Sequence, residues 1–398
     1  MAESLRSTVR IARVSTVSFF VATQLSLQIR QIAAAGFQVT VICSPGSEID
    51  ELLAHPGVEG KFVDIPRSLS PLRDLLSLWL LWRCFRRQRF DIVHSTTPKA
   101  GLLCAIASRL AGVPIRLHTF TGQPWVTRTG LMAWFAKIAD RLIGRWNTRC
   151  YADSPSQKDF LVRERIVASE RLAVLGKGSL AGVDAERFDP RRWTAPQRDE
   201  LRARLGVIPG HALVTFIGRI TTDKGVHELL TAFRSLRARG VALQLLLVGP
   251  ADDAGGANEA LSLSALRADG VLCTGFVADP ERYLAISDLL CLPSYREGFG
   301  TVVLEAAAMG VPAVGTRIYG LSDAIAEGET GVLVPARDAG ALAEALGDLL
   351  ADAPRRARLG EQARRRCLKD FEAARMTEWL LKEYRRLLAA AASTEGVA

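Results

Sequence analysis

The sequence predicts an α/β protein built from two doubly wound, Rossmann-like domains facing a central cleft. Three observations carry that expectation. The 398 residues amount to two or three domains at roughly 150 residues each. Short runs that are apolar at nearly every position alternate with amphipathic helical segments, the pattern of a parallel sheet covered on both faces. The alternation lapses around residues 182–196 and then restarts, dividing the chain into halves of similar size. Composition agrees, since 48% hydrophobic and 23% charged residues describe a globular chain rather than a disordered one.

Residues 9–14 read as the first strand and 22–35 as a helix that Gly36 stops. A second strand, 38–43, closes on Ser44-Pro45-Gly46, and 62–65 is expected as a short third. A long helix over 71–88 leads to a strand at 91–95, a helix at 100–111 and a strand at 115–119. Past the lapse, strands are expected at 212–217, 243–248, 271–274, 289–293, 312–315 and 331–334, with helices between them, the first at 226–238. The expected domains are an N-terminal one over 1–190, a C-terminal one over 191–370, and a final helix over 371–398 that could cross back to the first. Such folds bind ligands at the carboxyl ends of their strands.

Seven single cysteines (Cys43, Cys84, Cys104, Cys150, Cys273, Cys291 and Cys367) with no C-x-x-C spacing support neither a disulfide framework nor a zinc ribbon. The five histidines are equally isolated, so no metal site is expected. The opening Met1-Ala-Glu-Ser-Leu-Arg lacks the apolar core of a signal peptide, and no apolar run approaches the ~20 residues of a membrane span. A protein of the cytosolic side is the expectation. Charge is divided unevenly: residues 1–190 carry 25 Lys and Arg against 16 Asp and Glu, while residues 191–398 carry 26 of each, so the whole +9 lies in the first half. Trp79, Trp82, Trp125, Trp134 and Trp146 share that half. A basic, Trp-rich half suits an anionic partner, either nucleic acid or a lipid surface. Its tryptophans are interleaved with Leu and Phe rather than set as a stacking platform, which argues against nucleic acid. The ordinary reading is a solvated, arginine-rich surface.

No G-x-G-x-x-G follows the first strand, where Val14-Ser-Thr-Val-Ser-Phe-Phe stands, so a dinucleotide enzyme is disfavoured. Gly176-Lys-Gly-Ser-Leu-Ala-Gly182 fails the Walker A spacing and reads as a turn-rich connection. The second half is more informative. Its first strand runs into Gly218-Arg219-Ile-Thr-Thr-Asp-Lys224-Gly225, where Arg219 and Lys224 can converge on one anion at a helix start. A planar fork beside a point charge suits a diphosphate. Further on, Glu297-Gly-Phe-Gly-Thr-Val-Val-Leu-Glu305 sets two carboxylates eight positions apart, the second about two turns into an Ala-rich helix. Gly298 and Gly300 admit a close ligand, and the N–H groups from Thr301 onward can take a phosphate. A carboxylate at Glu305 among apolar neighbours needs a partner such as a ribose hydroxyl.

At these residues the chain resembles the family 4 glycosyltransferases of GT-B fold. Gly218-Arg219 with Lys224-Gly225, the strand-turn Thr274-Gly275-Phe276-Val277 and the Glu-x7-Glu element match in order and approximate spacing, and the likeness covers essentially the full chain. The resemblance implies Arg219 and Lys224 on the donor diphosphate and Glu305 on the ribose hydroxyls. It sets Glu297, Gly298, Phe299, Gly300 and Thr301 toward the donor sugar and phosphates, with Phe276 and Val277 bordering the base. The N-terminal half resembles the narrower group of capsule, O-antigen and exopolysaccharide transferases through Asp91-Ile-Val-His-Ser-Thr-Thr-Pro-Lys-Ala-Gly101, His118-Thr-Phe-Thr-Gly122 and Gly178-Ser-Leu-Ala-Gly-Val-Asp184. That likeness implies a nucleotide-sugar as co-substrate, with UDP favoured and GDP or dTDP as alternatives, no separate cofactor, and a polyprenyl-diphosphate-linked glycan as acceptor. Ser15 and Thr16 depart from the family by standing where many members carry a Gly-Gly loop on the acceptor side.

Sugar transfer breaks an anomeric C–O bond, and a metal or fixed cations must neutralise the departing diphosphate. No D-x-D occurs in the chain, and Asp252-Asp253 reads as a solvated turn. Metal-independent catalysis by Arg219 and Lys224 is therefore expected. The resemblance further implies retention of configuration, with the departing phosphate taking the acceptor proton. His118 is expected to face the cleft and touch the donor sugar, His94 to do so more weakly, and Lys99 to meet an acceptor phosphate. Each also has an ordinary reading, as a packed histidine or a solvated lysine. Two alternatives stand beside this one: a GT-B transferase of a soluble acceptor, and a non-catalytic nucleotide-sugar-binding protein. Residues 67–89 and 125–149 mix Leu, Trp and Phe with arginines, which suits lying in the interface of an anionic membrane. A peripheral protein of the inner face of the cytoplasmic membrane is expected.

Overall fold

Two sheets, each wholly parallel, form the framework of this computed structural model, which describes residues 8–251 and 261–395. The chain divides into two compact units, one taking it up to Gly182 and again from Ala373 onward, the other Val183–Glu372. The opening Met1-Ala-Glu-Ser-Leu-Arg and the Asp252-Asp253 pair lie outside the described residues.

The first unit contains Arg10–Val14 (β1), Gln38–Cys43 (β2), Val58–Phe62 (β3), Ile92–Thr96 (β4), Ile115–Phe120 (β5), Arg149–Ala152 (β6) and Leu172–Val174 (β7), in the order β3-β2-β1-β4-β5-β6-β7. β1 and β4 are buried on both faces, as covering helices require. The third strand falls earlier than expected from residues 62–65, pairing Val39 with Val58 through to Cys43 with Phe62. Val63 and Ile65 are buried beyond its end, packed with Leu81 and Phe85 beneath the helix Pro71–Gln88. An apolar run was thus legible, but it belongs to the helix layer. The helix expected at 22–35 begins at Ser18, widens into a π turn over Val21–Leu25 and finishes as Ser26–Ala34. The terminal helix Ala373–Glu395 counts with this unit because Leu380 and Tyr384 enter the core that holds Ile29 and Val39. Gly176 lies flat against the Trp379 ring, which a Cβ would meet at 1.8 Å.

The second unit contains Ala212–Ile217 (β8), Leu243–Val248 (β9), Leu272–Gly275 (β10), Leu289–Leu292 (β11), Ala313–Thr316 (β12) and Gly331–Val334 (β13), in the order β10-β9-β8-β11-β12-β13. Its boundary falls at Val183 rather than near 190, because Val183 and Phe188 already pack into its core beside Phe299 and Phe371. β8 and β9, the latter buried at every position, form the centre onto which the helix Val226–Ala238 presses Leu229, Leu230 and Phe233.

Candidate functional site

In the second unit the strand order reverses between β8 and β11, so the loops after these strands leave the sheet on either side of a switch point. That is where open parallel sheets bind ligands. After β8 the chain passes Gly218, makes one tight turn over Thr222–Lys224, and enters the helix Val226–Ala238 through Gly225 at φ +70°. A Cβ on Gly225 would stand 2.0 Å from the Pro293 carbonyl oxygen, so glycine alone allows the two loops to touch. Gly249 meets Gly218 in the same manner, its added Cβ lying 2.0 Å from the Gly218 oxygen.

This contact brings the charged residues of the two loops together. Lys224 pairs with Glu297 at 2.5 Å, and the same carboxylate oxygen accepts the hydroxyl of fully buried Ser294 at 2.8 Å. The Ser294 carbonyl in turn accepts the Thr316 hydroxyl. One residue back along each loop, Arg296 pairs with Asp223 at 2.9 Å, and the Tyr295 N–H donates to the Asp223 carbonyl at 2.9 Å. The Tyr295 hydroxyl donates to Glu228 at 2.6 Å, and the Arg337 guanidinium lies 4.5 Å from the Tyr295 ring centre. Burial pushes the Asp223 carboxyl up, but the Thr221 hydroxyl, Arg296 and Lys224 outweigh it and hold it below its usual range. Arg219 is exposed on the same loop.

Glu305 sits in a different setting. The helix Thr301–Ala308 starts from Gly300 at φ +89°, which makes Glu305 its fifth residue, just over one turn in rather than two. The side chain is half-buried, and its carboxyl is pushed up to about 7, chiefly by burial, with Arg187 opposing and Glu281 adding. Arg187 opposes weakly because its fork is occupied: it donates to Glu281 at 2.8 and 3.0 Å and to the Ala278 carbonyl at 2.6 Å. Gly298 is buried, with Gly320 pressed so close that a Cβ there would meet the Gly298 oxygen at 2.6 Å. The Phe299 expectation needs correcting. Its ring is 1% exposed and packs 5.2 Å from Phe371, so only its backbone can meet a ligand. Phe276 is open to solvent, whereas Val277 is half-buried against the cluster of Leu213 and Leu246.

In the first unit the order reverses between β1 and β4, and Ser15, Thr16 and Lys99 follow those strands. Ser15 and Thr16 are buried, and Thr16 bonds the Thr97 hydroxyl through both its N–H and its own hydroxyl. Lys99 is engaged by Asp74 at 2.6 Å and by the Ser68 carbonyl at 2.5 Å. His118 does not present its ring to a surface as expected. It is 1% exposed, within 2.9 Å of the Ser95 hydroxyl, edge-on to Phe120 and against Gly101, where a Cβ would collide with the ring. His94 is equally buried, between Arg13, Tyr384 and Thr119 at 2.7–2.8 Å. Burial lowers both imidazoles, His118 to about 3 and His94, with help from Arg13, well below its usual value.

A second surface of this unit is apolar. The helix Pro71–Gln88 packs on Pro98–Leu110, which packs on Gly130–Trp146. Leu81 and Phe85 turn inward, while Leu72, Leu75, Leu76 and Trp79 form an exposed stripe at helical spacing. Leu131, Met132, Trp134 and Phe135 are exposed on the third helix. Among the described residues no helix is long and apolar enough to cross a membrane.

Sequence reasoning missed Asp223 and Arg296, which hold the two loops together, Ser294, which holds Glu297 from within its own loop, and Arg187 with Glu281 beside Glu305. The one available signal was the reversed charge order of Asp223-Lys224 and Arg296-Glu297. With the partners 73 positions apart, it means nothing until the sheet order is known.

Comparison with known proteins gives this arrangement its class. A family model for group 1 glycosyl transferases matches residues 197–366, and one for a glycosyl transferase 4-like domain matches residues 21–178. The capsular polysaccharide biosynthesis glycosyltransferase CapM of Staphylococcus aureus is 28% identical over 91% of this chain and 93% of its own. A D-inositol 3-phosphate glycosyltransferase of Arthrobacter is 31% identical over 83% of this chain and 82% of its own. The UDP-Gal:alpha-D-GlcNAc-diphosphoundecaprenol alpha-1,3-galactosyltransferase of Escherichia coli is 25% identical over 86% and 88%. In fold, the chain matches Anabaena HepE, solved with UDP and glucose, with a TM-score of 0.78 at 19% identity, covering 95% of this chain and all of that one. The protein is thus a glycosyltransferase of GT-B type. It belongs to the family 4 glycosyltransferases, with relatives in capsule and lipid-linked glycan synthesis.

Proposed function

We propose that this enzyme moves a sugar from a UDP-sugar to a polyprenyl-diphosphate-linked glycan, with retention of configuration and without a metal ion. The observation that carries the reading is the Lys224–Glu297 pair set beside Arg219 at the switch point. A diphosphate entering there meets Lys224 as a point charge and Arg219 as a fork, and takes over the ammonium that Glu297 neutralises. Glu297, released, accepts hydroxyls of the donor sugar, and Glu305 accepts those of the ribose. The anomeric carbon–oxygen bond to the β-phosphate breaks as the acceptor oxygen bonds to that carbon on the same face. The acceptor proton passes to the departing phosphate oxygen, so no second carboxylate need act as a nucleophile. Support for the nucleotide comes from HepE, solved with UDP and glucose. Support for a lipid-linked acceptor comes from the diphosphoundecaprenol substrate in the name of the Escherichia coli relative.

The exposed Leu and Trp stripe, with Arg67, Arg73, Arg83, Arg86, Arg87 and Arg89 exposed around it, supports docking on anionic lipid where such an acceptor resides. A water-soluble acceptor is the second reading, and the Arthrobacter relative favours it, because its name gives a soluble inositol phosphate as substrate. The test is a screen of UDP-, GDP- and dTDP-sugars against polyprenyl-diphosphate glycans and soluble sugar phosphates, read by product mass and by the anomeric NMR coupling. Transfer should persist in chelator. Replacing Lys224 or Arg219 by Ala should cost about a hundredfold or more in kcat/KM. Loss of activity in chelator, restored by Mg²⁺ or Mn²⁺, would overturn metal independence. Transfer to sugar phosphates alone would promote the second reading.

A further inference from the structure

The loop after β11 is fastened at three consecutive residues to the loop after β8 and the helix that follows it. Tyr295 binds Glu228, Arg296 binds Asp223, and Glu297 binds Lys224. The last of these bonds joins two groups that, on the proposed function, must both turn to the donor. The bond is therefore given up on binding, and the loops then rely on the other two. Of those, Arg296–Asp223 lies directly next to the reacting pair along both loops. Its side chains are 24% and 23% exposed, so the pair is partly sheltered from solvent screening. Asp223 is tied from both sides: its carboxylate also accepts the Thr221 hydroxyl at 2.6 Å, and its carbonyl accepts the Tyr295 N–H at 2.9 Å. We infer that Asp223 and Arg296 are positioning residues that keep Lys224 and Glu297 in register with the donor once their own ion pair has opened. Neither residue acts on the substrate; each acts through its neighbour. The inference rests on the proposed donor site.

The experiment measures UDP, GDP and dTDP binding by calorimetry, and transfer kinetics, for wild type, Asp223→Ala, Arg296→Ala and the exchanged pair Asp223→Arg with Arg296→Asp. Each single change should weaken binding of the preferred nucleotide about tenfold and raise the donor KM in step, with kcat within about threefold. The exchanged pair, which restores the ion pair with its charges swapped, should recover to within about threefold of wild type. Thermal melts accompany every variant. If an alanine form does not fold, Asp223→Asn and Arg296→Lys take its place, with an intermediate loss expected. Unchanged nucleotide affinity in the single variants would overturn the inference, as would an exchanged pair no better than its parents. That last result would mean that the two residues do not act through their ion pair. If wild type binds none of the three nucleotides, the donor-site reading itself fails and the inference falls with it.

Discussion

Burial deprives a carboxylate of hydration, and at Glu305 nothing nearby makes up the loss, because Arg187 is already committed to Glu281. Its carboxyl therefore titrates at about 7 in the fold, against about 4.3 in an unfolded chain. A raised pKa contributes stability that is fully present below about pH 4 and is lost as pH rises through about 7. Glu305→Gln should accordingly melt at least about 2 °C above wild type at pH 8.5 and no higher below about pH 4. Ligand binding should run the other way. An ionised Glu305 is the better acceptor for ribose hydroxyls, so nucleotide affinity should rise from pH 6 to pH 8 in wild type. It should stay flat and about tenfold weaker in the Gln variant at pH 8. Calorimetry at the two pH values decides the matter, and identical profiles would remove Glu305 from the ribose. His118 behaves oppositely. Its neutral form is favoured in the fold, so its stabilising contribution is complete above about 6.5 and declines as pH falls toward 3. Neither buried histidine should add a limb to the activity profile between pH 6 and 8.

Among the elements, what the sequence disclosed and what it concealed divide along physical lines. The central strands β1, β4, β8 and β9 could be read because both faces are buried and apolar residues sit on each face, although buried polar residues such as Arg13, His94 and Thr215 interrupt the runs. The run at 62–65 looked alike, but Phe62 ends β3 and residues 63–65 lie past the sheet, since burial under a helix and burial between helices leave the same mark in composition. Phe299 shows the same limit at the site. A phenylalanine between two glycines reads as a loop residue, yet it fills the core against Phe371. The glycines were legible for their conformational freedom, but not the contacts that demand it. Gly225 is the sharpest case, with positive φ and the Pro293 carbonyl in the place of its Cβ. Gly225→Ala should cost more than about 2 kcal/mol, since the left-handed conformation and the steric conflict add. Differential scanning calorimetry should show a melt lower by about 5 °C or more, with nucleotide binding weakened as the two loops part. A melt within about 1 °C of wild type would mean that the loops do not meet as described.

At the scale of the whole molecule, charge and apolar exposure coincide in one half of the chain. The excess of basic residues lies in residues 1–190, and there the Pro71–Gln88 helix exposes Leu72, Leu75, Leu76 and Trp79, the first of them 83% exposed. Leu131, Met132, Trp134 and Phe135 do the same on the Gly130–Trp146 helix. Water-exposed leucines in such a stripe cost solubility, and lining them with arginines suits a surface that lipid covers. Each Arg near an anionic leaflet contributes about 1 kcal/mol, and this attraction weakens with salt, whereas the apolar part does not. Wild type should float with phosphatidylglycerol-rich vesicles at 20 mM salt, bind at least tenfold less at 500 mM, and ignore vesicles of phosphatidylcholine. Leu75→Glu with Trp134→Glu, both at exposed positions, should abolish flotation while leaving the melt unchanged. Transfer to a lipid-linked acceptor in vesicles should then fall at least tenfold, and transfer to the same glycan on a short, water-soluble prenyl chain should not. Flotation of the double variant equal to wild type would show that the stripe is not the docking face. Failure of wild type to float at low salt would remove the membrane from the proposed function altogether.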